Sequence, residues 1–156
     1  MFHVIDDNEP LLEFLTAFIE DSSYQAQGFS SPVDYLEYVK SPGFTPPLAI
    51  FSDVQMPKIN GYEMLQKVRE LYPSIRSAVI SAYPSTGSVD RDHSCVYLEK
   101  PVSMESLERL IRTFASCVEN GPDPKLYECK GSGDPTIFAL DQWCCPHAAR
   151  CKKHEA

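Results

Sequence analysis

Asp6 and Asp7, Asp53, Ser81 and Lys100 are the side chains best suited to chemistry, and each follows a short apolar run, at residues 2–5, 48–51, 78–80 and 96–98. Carboxylates drawn together repel one another unless a cation lies between them, and an all-oxygen site with open positions suits a Mg²⁺ that keeps several waters. A divalent ion is therefore expected. A carboxylate can also attack phosphorus to form an acyl phosphate, while a metal and a lysine neutralise the transferring oxygens. In that chemistry Asp53 is the nucleophile, Lys100 the cationic clamp and Ser81 a hydrogen-bond donor. Taken singly, each residue has a plainer explanation as a helix cap, a turn hydroxyl or a solvated charge. Their joint occurrence at four run ends is what argues for a site.

The elements that must position these residues alternate between strand-like runs and amphipathic helices from Met1 to about Asn120, the pattern of a parallel sheet flanked by helices. The runs at 2–5, 24–27, 48–51, 78–80 and 96–98 read as strands, the second being the weakest. A helix over 10–20 carries Leu11, Leu12, Phe14, Leu15, Phe18 and Ile19 at core-facing spacing, with Pro10 in its first turn. Ser31 caps a helix that starts at Pro32 and runs to Lys40. Residues 61–72 form another, with Tyr62, Leu65, Val68 and Leu71 on one side and Pro73 as its stop. Ser103 caps the last, whose apolar side is Met104, Leu107, Leu110, Ile111, Phe114 and Val118. Residues 82–95 are too polar and broken for more than a short helix. In a parallel sheet the strands' carboxyl ends converge on one crevice, which brings the four chemical positions together.

With these residues in place the chain resembles the receiver (CheY-like) domain of two-component response regulators. The matching motifs are Asp6-Asp7, the run from Asp53 through Met56-Pro57 to Gly61, the pair Ser81-Ala82 and Lys100-Pro101, in order and at fitting spacing. The resemblance covers about residues 1–120. It implies an α/β, flavodoxin-like fold with five parallel strands in the order 2-1-3-4-5, the helix between the fourth and fifth strands being short or missing here. It also implies that a histidine kinase or phosphotransfer protein phosphorylates Asp53. Asp7, Asp53 and the backbone carbonyl of Gln55 would hold Mg²⁺, with Asp6 acting largely through water. Tyr97 stands where the family has a switching aromatic, partnered by Ser81, and the Lys100-Pro101 bond would be cis. A haloacid-dehalogenase-type phosphatase shares the aspartate nucleophile but requires a second aspartate where this chain has Gln55.

The composition, 43% hydrophobic and 23% charged with a net charge of −8, is that of a folded water-soluble protein. Such acidity disfavours direct binding to nucleic acid, and no apolar run is long enough to span a membrane. The expectation is a cytoplasmic, bacterial, stand-alone regulator that signals through protein partners. After Asn120-Gly121-Pro122 the character changes, which divides a receiver domain, 1–120, from a Cys/His-rich extension, 121–156. Cys129, Cys144, Cys145, His147, Cys151 and His154 could ligate Zn²⁺ or form a redox site. A metal- or redox-sensing tail is accordingly the alternative function, with packing around Trp143 as the plainer explanation of the thiols.

Overall fold

Asn8, Ser31, Asn60 and Ser103 each accept a hydrogen bond from an amide three residues on and so start the four helices of the described residues. The computed structural model describes residues 1–82 and 94–120. In chain order the elements are β1 (Phe2–Ile5), α1 (Glu9–Asp21), β2 (Ala26–Phe29), α2 (Pro32–Lys40), β3 (Ile50–Asp53), α3 (Gly61–Leu71), β4 (Ser77–Ser81), β5 (Val96–Glu99) and α4 (Met104–Asn120). The start of α3 is a full capping box, in which the Glu63 carboxylate also accepts from the Asn60 amide.

All strand pairings are parallel and the order is β2-β1-β3-β4-β5, as the resemblance implied. Successive strand residues point to opposite faces, so each strand feeds two cores. Phe2, Val4, Phe51, Ala78, Ile80, Val96 and Leu98 pack with α1 and α4 through Leu12, Leu15, Ile19, Leu107, Leu110, Ile111 and Phe114. Ile5, Ile50, Val79 and Tyr97 pack on the other face with α2 and α3. Both sheet faces are covered, which explains why central strands read as continuous apolar runs rather than alternating ones.

Two strands lie two residues later than the sequence suggests. β2 starts at Ala26 because Ser22 and Ser23 still close α1, Ser23 adopting a positive φ of 71°, and the pairing begins at Phe2↔Ala26. β3 runs to Asp53 because its partner strand continues: Ser52↔Val79 and Asp53↔Ile80 are paired although both β3 residues are polar. The apolar stripes are also narrower than expected. Phe14, Leu71, Met104 and Val118 are exposed at the ends or shoulders of their helices, where no element of the described chain covers them. Met64, absent from the expected stripe of α3, is fully buried. The expected short helix within 82–95 falls mostly on residues 83–93, outside the described residues, as does the whole extension 121–156.

Candidate functional site

β1, β3, β4 and β5 end side by side, and the residues at or just beyond their carboxyl ends form one pocket of about 400 Å³. Asp7, Asn8, Asp53, Gln55, Ser81, Ala82 and Lys100 line it. Asp6 stands behind that lining, buried, while Asp7 is exposed. One carboxylate oxygen from each of Asp6, Asp7 and Asp53 can be chosen so that all three lie within 4.8 Å of one another. The Lys100 ammonium sits 3.4 Å from Asp6 Oδ2 and 3.4 Å from Asp53 Oδ1, bridging the two buried acids. Ser81 and Lys100 are themselves tied, since the Lys100 amide donates to the Ser81 carbonyl at 2.8 Å.

Local structure explains how these charges are held. The backbone turns sharply after β1, where the Asn8 amide donates to Asp6 Oδ1 at 2.9 Å while the Asn8 side chain caps α1. Burial pushes the Asp6 carboxyl above its ordinary pKa; the Asn8 amide and then Lys100 oppose the shift, and the neighbouring Asp53 charge adds to it. Below Asp53, α3 approaches β3 so closely that a Cβ on Gly61 would stand 2.0 Å from the Asp53 carbonyl oxygen. The Gly61 amide donates to the Val54 carbonyl at 2.8 Å and Ser52 Oγ to the Asp53 carbonyl at 2.8 Å. Glycine at this position is thus a packing requirement of the loop that presents Asp53. The loop itself turns at Lys58, whose φ is 74°.

Three carboxylates against one lysine leave an excess of two negative charges, and hard oxygen donors are what Mg²⁺ prefers. Asp7, Asp53 and Gln55 line the open side of the pocket, so the residues present fit such an ion.

Every first-choice residue from the sequence therefore reaches this pocket or its back wall, except Tyr97. Tyr97 is buried in the core with Val79 and α3, two residues before the strand end at Glu99. The Lys100-Pro101 bond is cis. Asn8 and Ser52 were not singled out from sequence. Asn8 was legible as an N-cap two residues before Pro10, whereas the bond from Ser52 carries no sequence signal. Cys129, Cys144, Cys145, His147, Cys151 and His154 lie outside the described residues, and the zinc or redox reading gains no support. Among the described residues the three aspartates are the only metal-competent cluster, and no helix is long and apolar enough to cross a membrane.

Comparison with known proteins agrees with this geometry. Residues 2–112 match the model of the response regulator receiver domain family. Response regulator Rre1 of Synechocystis sp. is 29% identical over 120 residues, covering 71% of this chain and 49% of that protein. A protein-glutamate methylesterase/protein-glutamine glutaminase of Trichodesmium erythraeum is 26% identical over 113 residues, covering 69% of this chain and 32% of that protein. The chain thus spans half or less of the length of these curated relatives. The crystal structure of an uncharacterized protein from Neptuniibacter caesariensis superposes with a TM-score of 0.65 at 28% identity, over 76% of this chain and 92% of that one. An aspartate pocket bridged by a lysine at the carboxyl ends of a 2-1-3-4-5 sheet, together with a family match over 2–112, places this chain in the response regulator receiver domain family.

Proposed function

We propose that this chain is a phosphorylation-controlled switch that takes a phosphoryl group onto Asp53 from a histidine kinase or phosphotransfer protein and passes the change to a protein partner. Domains of this family are phosphoacceptor switches that bind Mg²⁺ at an acidic pocket. The observation that carries the reading is the Lys100 ammonium poised 3.4 Å from Asp53, at the rim of a pocket large enough for a phosphoryl group.

In the reaction a carboxylate oxygen of Asp53 attacks phosphorus, the bond from phosphorus to the donor breaks, and the donor leaves with the electron pair of that bond. Lys100 then exchanges part of its contact with Asp53 for the incoming phosphoryl oxygens. Ser81 donates its hydroxyl to one of those oxygens, and Asn8 holds Asp6 in place beneath them. Asp7, Asp53 and the Gln55 carbonyl would hold Mg²⁺, with Asp6 acting through water; the ion supplies neutralising charge at the transferring oxygens. Ser81 following the phosphoryl group, with Tyr97 responding on the adjacent strand, would carry the signal outward. The reading assigns residues 1–120 to the switch and a cytoplasmic location shared with the kinase.

The test is incubation with acetyl phosphate and Mg²⁺ followed by intact mass spectrometry. One base-labile phosphoryl group is expected on the native chain and none on Asp53→Ala. Labelling that survives in Asp53→Ala, or its absence from a native chain that binds Mg²⁺, rejects the proposal.

A further inference from the structure

At the opposite end of the sheet, beneath the strands' amino ends, lies an apolar groove of about 380 Å³. Met1, Leu48, Leu71 and Val118 are among the side chains that line it, and Arg76 forms part of its wall. Three of the five exposed large hydrophobic side chains among the described residues, Met1, Leu71 and Val118, gather here. Scattered exposed apolar residues need no explanation, but a contiguous set around a concavity marks a binding surface. The groove shares no lining residue with the pocket at Asp53, so it is a second site and not an arm of the first.

Arg76 gives that surface its chemistry. Among the described residues it is the one charged side chain in the lining, and no carboxylate lines the groove. The residue is 6% exposed, and its Nη2 donates to the Cys117 carbonyl at 3.0 Å. Nε is buried with no hydrogen-bond partner, and no carboxylate of the described residues forms an ion pair with the guanidinium. A guanidinium presents five donors and does not lose its charge in proteins. Withdrawn from water beside a single carbonyl, it retains a positive charge that an anion in the groove would satisfy.

Size and lining select the kind of anion. Small-molecule sites of this volume grip a ligand with apolar walls and orient it with a few polar groups. Here the walls come from the residues just before β1, β3 and β4 and from the last turns of α3 and α4, so five segments of the fold converge on one buried cation. A bare inorganic anion would leave the apolar walls uncovered, and an uncharged hydrocarbon would leave Arg76 without a counter-charge.

We propose that this groove binds a small apolar monocarboxylate, of the class of medium-chain fatty acids and arylalkanoic acids. Its carboxylate would lie against Arg76 and its apolar body between Leu48, Leu71 and Val118. A second copy of the chain is the competing occupant.

Calorimetric titration of the full chain with octanoate tests this, with 1-octanol and acetate as probes that carry only the tail or only the head. Octanoate should fill a single saturable site at least about tenfold more tightly than either. Leu71→Glu sets a carboxylate at an exposed rim position and should weaken octanoate binding at least about tenfold, and 1-octanol binding less. Arg76→Met should bring octanoate down to the affinity of 1-octanol; where circular dichroism shows that variant unfolded, the preference of the native chain and Leu71→Glu decide. Absence of saturable octanoate binding overturns the proposal, as does equal affinity for octanoate and 1-octanol, or octanoate affinity that survives Leu71→Glu. A chain that sediments as a dimer which octanoate does not dissociate also overturns it, in favour of a second copy.

Discussion

At the carboxyl ends of the strands Asp7, Asp53 and Lys100 meet in a pocket of about 400 Å³ backed by the buried Asp6, whereas at the amino ends Met1, Leu48, Leu71 and Val118 line a groove of about 380 Å³. The two concavities are alike in size and opposite in chemistry. A parallel sheet places every strand's carboxyl end on the same side, so turns from four strands can crowd like charges into one place. Holding those charges together is unfavourable until a cation binds, and the fold stabilises them with Lys100, the Asn8 amide and a tight loop above Gly61. The amino end crowds no like charges, and its groove is mostly apolar, with the buried Arg76 in its wall. One end is built around crowded carboxylates and the other around apolar side chains beside one buried guanidinium.

The most severe way to disturb the charged end is through its support rather than its charges. Gly61→Ala would drive a Cβ into the Asp53 carbonyl at 2.0 Å, against backbone that has little room to yield. We expect a loss of about 3 kcal/mol in urea unfolding. A change below about 0.5 kcal/mol would show that α3 is not pinned against β3.

The apolar side of the sheet hides one titratable group whose behaviour sharpens the contrast. His3 is wholly buried among Phe29, Tyr35, Tyr38 and Phe44, with Nδ1 3.0 Å from the Tyr35 hydroxyl, and burial lowers its pKa from 6.5 to about 4. Between those values the unfolded chain takes up a proton that the folded chain refuses. The stability due to neutral His3 is therefore complete above pH 6.5 and lost as pH falls toward 4, about 2 kcal/mol of it by pH 5. Denaturation of native protein and His3→Phe at pH 7 and pH 5 reads this as a difference, and equal pH slopes would show that the imidazole charges within the fold.

Asp7 should matter for metal and not for folding, because it is exposed. Asp7→Ala is expected to weaken Mg²⁺ binding at least about tenfold by calorimetric titration while leaving the unfolding midpoint nearly unchanged. Equal Mg²⁺ affinity in the two proteins would remove Asp7 from the ligand set. The smallest effect has the opposite sign. Asp6→Asn removes a buried charge whose pKa is raised by burial and by Asp53, and it should stabilise the metal-free protein by about 1 kcal/mol in thermal or urea unfolding at neutral pH. Destabilisation would mean that the Lys100 contact outweighs burial at Asp6.

Much of this organisation was legible from local signals. Pro10, Ser31-Pro32 and Ser103 announced helix starts because capping and first-turn preferences act within three or four residues. Asp6-Asp7, Asp53, Ser81 and Lys100 could be placed at strand ends because an apolar run followed by a polar residue is readable in one dimension. Where the reading slipped, the deciding neighbour lay elsewhere in the chain. β3 extends through Ser52 and Asp53 because β4 continues beside them, and Met64 joins the core of α3 with Val79 and Tyr97 from the sheet.

By itself, then, the sequence determined which residues could do the chemistry and roughly where each helix and strand begins, since propensity, capping and hydrophobic period are properties of neighbours along the chain. Only the tertiary structure decided that one ammonium bridges Asp6 and Asp53, that Gly61 must lack a Cβ, and that Leu71 and Val118 share a groove with the buried Arg76. Those are relations between side chains from different elements, set by strand register and helix docking, and no local pattern encodes them.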